Sequence, residues 1–425
     1  METKSTSFRN CTRGLTPFII MVTLALSSWN SVTAQQSIAE FEHLSIEQGL
    51  SQSFANDILQ DHRGFLWVAT ADGLNRYDGT TFKIYQHTPG DTTSLSDNRI
   101  SVLFEDSRGR HWVGTHNGLN RLNHQHTKFI QLPVRSPGHP NGLSHPLVNA
   151  IVEEENGTLL IGTYGGGIDR LNPESGTFTP LALRVSPDGD NAALKKITSL
   201  AFDNTGLLWA GTGGGVLKID LLTQSAVLYT NSKDDSSSLS NNFVNSVFCD
   251  RSGRIWIGTD FGLNLYNPST NDFTRYYHEE DNLHSLTSST IFSIYEDRNG
   301  KLWIGTIDGL NRFTPGTGIF ARLKHSPHDE ASLSDNKIMT IHEDRGGVLW
   351  FGTQGGGLNK FDPNRRKFYH FRDTEDAPKA FHINRVYAIT QRSPDEVWVG
   401  TTNGLIHIEY GDRSHKRVFY YTPSS

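Results

Sequence analysis

Asp297-Arg298-Asn299-Gly300-Lys301-Leu302-Trp303-Ile304-Gly305-Thr306-Ile307-Asp308-Gly309-Leu310-Asn311-Arg312 is the stretch whose reading decides the fold. Asp297 to Gly300 is a tight turn: Asp favours its first position and Gly the freedom needed at its end. Leu302 to Thr306 is nearly all apolar, as a strand buried on both faces should be. Gly309 to Phe313 is the next strand. Upstream, Thr290 to Tyr295 alternates in period two, and downstream Phe320 to Leu323 completes a four-strand unit, A to D. A Ser/Asn-rich loop, Ser332-Leu333-Ser334-Asp335-Asn336, leads into the next unit.

The unit recurs. Thr70, Thr115, Thr163, Thr212, Thr259, Thr306, Thr353 and Thr401 each end a strand B, at intervals of 45, 48, 49, 47, 47, 47 and 48 residues. Seven of the 8 Trp hold one position in this strand, and Leu160 replaces the Trp in the third unit. A period near 47 with four short strands is the spacing of an all-β propeller of four-stranded antiparallel blades. The Trp is expected to pack blade against blade. Phe41 to Ser45 reads as a lone D strand that completes the last blade and hides two sheet edges. Two arrangements of the eight repeat units follow: a seven-bladed ring plus the first blade of a second propeller, or a closed eight-bladed ring. The eighth unit, within 385–425, diverges most: its turn, Ser393-Pro394-Asp395-Glu396, has no Gly.

Composition narrows the function. A net charge of −6 disfavours a phosphate-binding footprint, so nucleic acid is not expected as a partner. Two Cys exclude a disulfide framework. Residues 1–34 read as a cleaved signal peptide: Lys4, Arg9 and Arg13, then an apolar segment, then Val32-Thr33-Ala34. The propeller is then expected over 35–384, in the periplasm, with no membrane span after cleavage. The 18 His include no His-Glu-x-x-His or other close pair. His62, His111, His342 and His370 read as structural. No metal, cofactor or catalytic residue is expected.

The signature Asp-x-x-Gly-x-Leu-Trp-Ile-Gly-Thr-x-x-Gly-Leu-Asn-Arg, at Asp297 to Arg312 and with small changes at Asp106 to Arg121 and Asp344 to Lys360, resembles the two-component regulator propeller repeat. The resemblance spans roughly residues 40 to 410. It implies a periplasmic sensor module, in receptors that typically carry two seven-bladed propellers, a membrane span and a histidine kinase or diguanylate cyclase output, and often sense oligosaccharides. The chain holds no phospho-acceptor His motif, nucleotide-binding Gly box or cyclase segment, so no enzyme activity is expected of it. The seven-bladed habit of the family favours a piece of a longer sensor over a stand-alone propeller.

An antiparallel meander puts the B–C and D–A loops on one face, at the mouth of a central channel. Candidate ligand residues there are Asp72, His116, Asn117, Tyr164, Asp260, Phe261, Asp308 and Gln354 in B–C loops, with Asn98 and Asn336 from the D–A side. Rings that stack on sugar faces and amides or carboxylates that bind hydroxyls suit an oligosaccharide or other small molecule. A membrane sensor or a second copy of the chain is a further possible partner. The alternatives are a protein-interaction scaffold and a propeller glycoside hydrolase or lyase. The hydrolase reading needs two mouth carboxylates among Asp72, Asp260 and Asp308 at catalytic spacing.

Overall fold

The structure, a computed structural model, describes residues 39–187, 191–314, 316–363, 385–393, 396–410 and 416–421. The signal segment, the basic run Arg365-Arg366-Lys367 and His370 lie outside the described residues. The chain divides into two compact units, 1–363 and 364–425.

Among the described residues, the first unit holds seven sheets, six of them containing an antiparallel meander of strands A to D and the seventh a meander of strands A to C. Their A strands are Ala55–Gln60, Ile100–Glu105, Val148–Glu153, Ile197–Phe202, Val244–Cys249, Ile291–Glu296 and Ile338–Glu343. Each packs on the A strand of the next sheet, and the first packs on the seventh, so the ring closes within this unit. The strand Glu42–Leu44 supplies the outer edge of the seventh sheet. It runs antiparallel to Leu358–Phe361, with Glu42 opposite Lys360 and Leu44 opposite Leu358. The fourth sheet departs from the expected four strands: Arg184–Ser186 adds a fifth, parallel to Ser225–Tyr229. The second unit is a four-stranded sheet over Val386–Tyr421 with its own outer strand, Lys416–Tyr421.

The signature residues hold this architecture in place. In the sixth repeat Asp297 Oδ1 accepts the backbone N–H groups of Asn299 and Lys301, at 2.9 Å each. Its Oδ2 accepts the indole N–H of Trp303 at 2.8 Å. The turn is thereby capped, and the Trp ring is held by a residue of its own repeat. The same Asp–Trp bond recurs at Asp61, Asp106, Asp203, Asp250 and Asp344. The rings then fill the seams. Trp67 packs with Leu103 and Val113 of the second sheet, and Trp256 with Ile291 and Ile304 of the sixth. Gly258 in strand B leaves room for this approach, since a Cβ there would lie 2.6 Å from Ile291.

A second set of bonds joins the sheets. Each A–B pair carries a bulge at the second residue of strand A. The freed side chain reaches the next sheet: Asn56 Nδ2 donates to Ile100 O, Asn149 to Ile197 O, and Asn245 to Ile291 O. At the other end of strand A, Glu105, Glu153, Glu296 and Glu343 each accept a backbone N–H from the preceding sheet's turn. Gln60 does the same for Arg345 across the seventh-to-first seam, at 2.8 Å.

Replacing Asp297 by Ala removes three bonds and leaves the buried indole N–H of Trp303 unpaired. Urea unfolding should show a loss of about 2–4 kcal/mol. A loss under 0.5 kcal/mol would mean that the turn folds without its cap.

Candidate ligand-binding face

The B–C turns and D–A loops share one face, and a recurring polar lock stitches them together. In the first repeat Ser51 N–H donates to Asn75 Oδ1 at 2.9 Å, and Asn75 Nδ2 donates back to Ser51 Oγ at 2.8 Å. Thr70 Oγ1 donates to Gly73 O at 2.8 Å and lies 2.9 Å from Ser51 Oγ. The lock repeats at Ser96, Thr115 and Asn120, at Ser240, Thr259 and Asn264, and at Thr287, Thr306 and Asn311. These Thr and Asn are fully buried. The Asn of Gly-Leu-Asn-Arg is thus the buried partner of the incoming loop. In the third repeat Asp169 takes its place, accepting both N–H and Oγ–H of Ser144, and burial pushes its carboxyl up.

The predicted ligand residues divide into two groups. Asn98 and Asn336 belong chiefly to the scaffold. Their side-chain oxygens accept the backbone N–H groups of His87 and His325, and their carbonyls accept those of Gly73 and Gly309. Their amides also hold Asp72 and Asp308 in place, at 2.9 and 3.1 Å. Asp308 is paired further with Lys324, at 2.6 Å. Asp260 accepts from Asn245 Nδ2 at 2.9 Å. His116 is half-buried, and burial together with Arg99 pushes its imidazole down from the ordinary range. Asn117 donates to Ser96 O, Gln354 is exposed, and Lys196 Nζ lies 5.7 Å from the centre of the Tyr164 ring.

Phe261 is the most open of the aromatic candidates, 58% exposed, with the Tyr277 ring 5.5 Å away. Tyr277 carries no repeat signature and was not singled out in the sequence. Asp57 was missed as well. It holds the third position of the first A strand, where the other A strands carry Val, Ala, Ser or Thr. It accepts the backbone N–H groups of Leu103 and Ile58, at 2.8 Å each. Burial among the innermost strands pushes its carboxyl up to about 6. Its signal was the lone acid at a position otherwise small or apolar. A cavity of about 470 Å³ lies elsewhere, on the flank between the second and third sheets, against Trp112, Arg121 and the loop at Gly138 to Gly142.

The third-position chemistry gives a pH test. The Asp57 pKa is higher folded than unfolded, so its contribution to stability is full below about pH 4 and is lost as pH rises through 6. His126 and His342, held down to about 4 by burial, act oppositely, and their contribution is lost as pH falls. The difference between wild type and Asp57→Asn isolates the first effect. Asp57→Asn should gain on the order of 1–3 kcal/mol on wild type between pH 4 and 7 in urea unfolding. Parallel pH curves would contradict the assignment.

The family model for the two-component regulator propeller matches residues 49–72, 94–117, 238–261, 285–308 and 332–355. Each match begins in or just before the loop that enters the polar lock and ends in the B–C turn. The unmatched third and fourth repeats are those with Asp169 and Leu217 where the lock has Asn. The chain is 53% identical over 66 residues to a curated histidine kinase, P4 of Formosa agariphila, covering 16% of this chain and 5% of the kinase. Among solved structures it is similar to the extracellular domain of the hybrid two component system BT3049 from B. thetaiotaomicron. That match has a TM-score of 0.68 and 28% identity, over 90% of this chain and 49% of the other. The corresponding domain of BT4673 from the same organism matches with a TM-score of 0.59 and 22% identity, over 91% of this chain and 48% of the other. The chain thus spans about half the length of these structures. No helix among the described residues is long and apolar enough to cross a membrane. Its fold is that of these extracellular propeller domains, and five of its repeats match the two-component regulator propeller model.

Proposed function

We propose that the chain is the periplasmic ligand-sensing region of a two-component receptor, delivered by its N-terminal signal segment, and that it binds an oligosaccharide on the face of B–C turns and D–A loops. The observation that carries this reading is a division of labour within each loop. Its buried Ser, Thr and Asn repeat almost unchanged, whereas the side chains it projects differ from repeat to repeat: His116, Tyr164, Phe261, Ile307 and Gln354. A rigid base with variable projections is how a binding surface is specified on a repeat scaffold. The Phe261–Tyr277 pair offers an aromatic platform, and Asp260, Asp308 and Lys324 offer hydroxyl partners. Signalling then requires only that ligand binds one arrangement of the receptor better than another and shifts its population.

The second unit fits as the first blade of a second propeller. The residues of its strand A, Val386–Ser393, are exposed throughout, whereas each A strand of the ring buries its apolar positions against neighbours. The related extracellular domains, about twice as long, leave room for that second ring. Exposure of Phe261 at 58% and Ile307 at 44% on successive turns favours, as a second reading, a partner protein on the same face.

Thermal-shift and calorimetric titration against a panel of oligosaccharides tests the first reading. A concentration-dependent rise in Tm without sugar cleavage is expected. Phe261→Ala should weaken binding at least 10-fold while leaving the ligand-free Tm within about 1 °C, because the ring packs on the surface. New cleavage products would replace the reading with a hydrolase. No sugar binding by the folded protein would leave the partner-protein reading.

A further inference from the structure

Three groups from distant parts of the sequence meet in the seam between the first and second sheets. Asp61 caps the first A–B turn, His111 opens strand B of the second repeat, and His126 lies in the second C–D turn. One ligand atom from each lies within 4.8 Å of the others, and all three residues are buried. His111 Nε2 is 3.5 Å from Asp61 Oδ2 and 3.8 Å from Glu105 Oε1. Neither His111 Nε2 nor His126 Nδ1 has a hydrogen-bond partner, although the residues are only 5% and 8% exposed.

The internal repeats show how unusual this is. The position of His111 is filled by Leu66, Leu159, Leu208, Ile255, Leu302 and Leu349 in the other six sheets of the ring. His126 has φ 54° in its C–D turn; the left-handed residue of the later turns falls one position further on, at Gly176, Gln224, Asn271 and Gly318. A position that the scaffold fills with an aliphatic side chain, and one that later C–D turns fill with Ser or Thr, each carry a buried imidazole in the same seam. Each leaves a ring nitrogen without a hydrogen-bond partner. Buried polar atoms without partners are rare because they forfeit their hydration.

We infer that Asp61, His111 and His126 bind a divalent transition-metal ion of the zinc class. The donor set, two imidazoles and one carboxylate, is that of zinc sites with an open fourth position. Ligand bonds of about 2.0–2.1 Å place neighbouring donor atoms about 3.3 Å apart, close to the His111–Asp61 separation. Glu105 is placed to fill the fourth position or orient a water. It now pairs with His62, whose side chain is 57% exposed and marks the path to solvent. Ligation needs neutral imidazole. Arg63 and Arg76 set positive charge beside the site, so affinity rests on the donors rather than on the local field. The Trp67 indole N–H donates to Asp61 Oδ2 at 2.9 Å and fixes the carboxylate as a second shell does. The ion would clamp two adjacent blades together, which couples its occupancy to the rigidity of the ring.

The test is titration of the chelator-stripped chain with Zn²⁺ by calorimetry, and with Co²⁺ by visible absorption. One ion per chain is expected, with a rise in Tm that scales with free Zn²⁺ and cobalt bands of four-coordinate intensity. His111→Leu installs the residue that most other repeats carry there, and His126→Asn puts a residue tolerant of the left-handed conformation at φ 54°, so both should fold. Each should weaken Zn²⁺ binding at least 100-fold, whereas His328→Asn, at an exposed loop, should change nothing. The absence of one-to-one binding to wild type would overturn the inference. So would unchanged binding by either folded seam variant.

Discussion

The bond from the Trp indole N–H to the turn Asp carboxylate is the constraint on which the rest of the structure depends. It caps a turn that would otherwise leave backbone N–H groups unpaired, and it aims a large ring into the seam. A propeller blade has no core of its own beyond one sheet thickness. It becomes stable only when its neighbour covers that ring, and burial of a side chain of this size is worth about 3–5 kcal/mol. The bulged Asn residues and the Glu at the end of strand A then set the spacing, because each satisfies a backbone group of the next sheet. Across the seventh-to-first seam Gln60 and Arg345 make the same kind of bond as the other seams, so the ring closes by the rule that builds it.

Much of this was legible in the sequence because it is local and repeated. Strand B, the tight turn and the seam position of the Trp follow from hydrophobic run, turn chemistry and period. The lone edge strand was legible too, although only the pairing of Glu42–Leu44 with Leu358–Phe361 shows which sheet it completes. The buried Asn of Gly-Leu-Asn-Arg was visible as a recurring letter but not as a lock, because its partner is a Ser or Thr 24 residues upstream. The loop Asn residues looked like free ligands for the same reason. Asn98 and Asn336 are polar and lie on the right face, yet their amides are largely used in holding the loops.

What the sequence hid is non-local. Asp61, His111 and His126 have no motif spacing, since the seam and not the chain brings them together. Only comparison among the repeats exposes them: a His where six sheets carry Leu or Ile is a departure that spacing rules do not register. The third and fourth repeats show the opposite case. With Asp169 and Leu217 in place of the lock Asn, they keep the strand order while the loops around them lengthen and add a fifth strand. The scaffold tolerates loss of one lock because its seams are held independently.

The ring closes within residues 39–363, and its B–C turns and D–A loops share one face. Equilibrium urea unfolding of residues 39–363 beside the whole chain tests that closure most directly. The shorter chain should unfold in one cooperative transition at the midpoint of the main transition of the whole chain, and deleting 39–45 as well should abolish that transition. A shorter chain that is unfolded, or one indifferent to loss of 39–45, would contradict that closure.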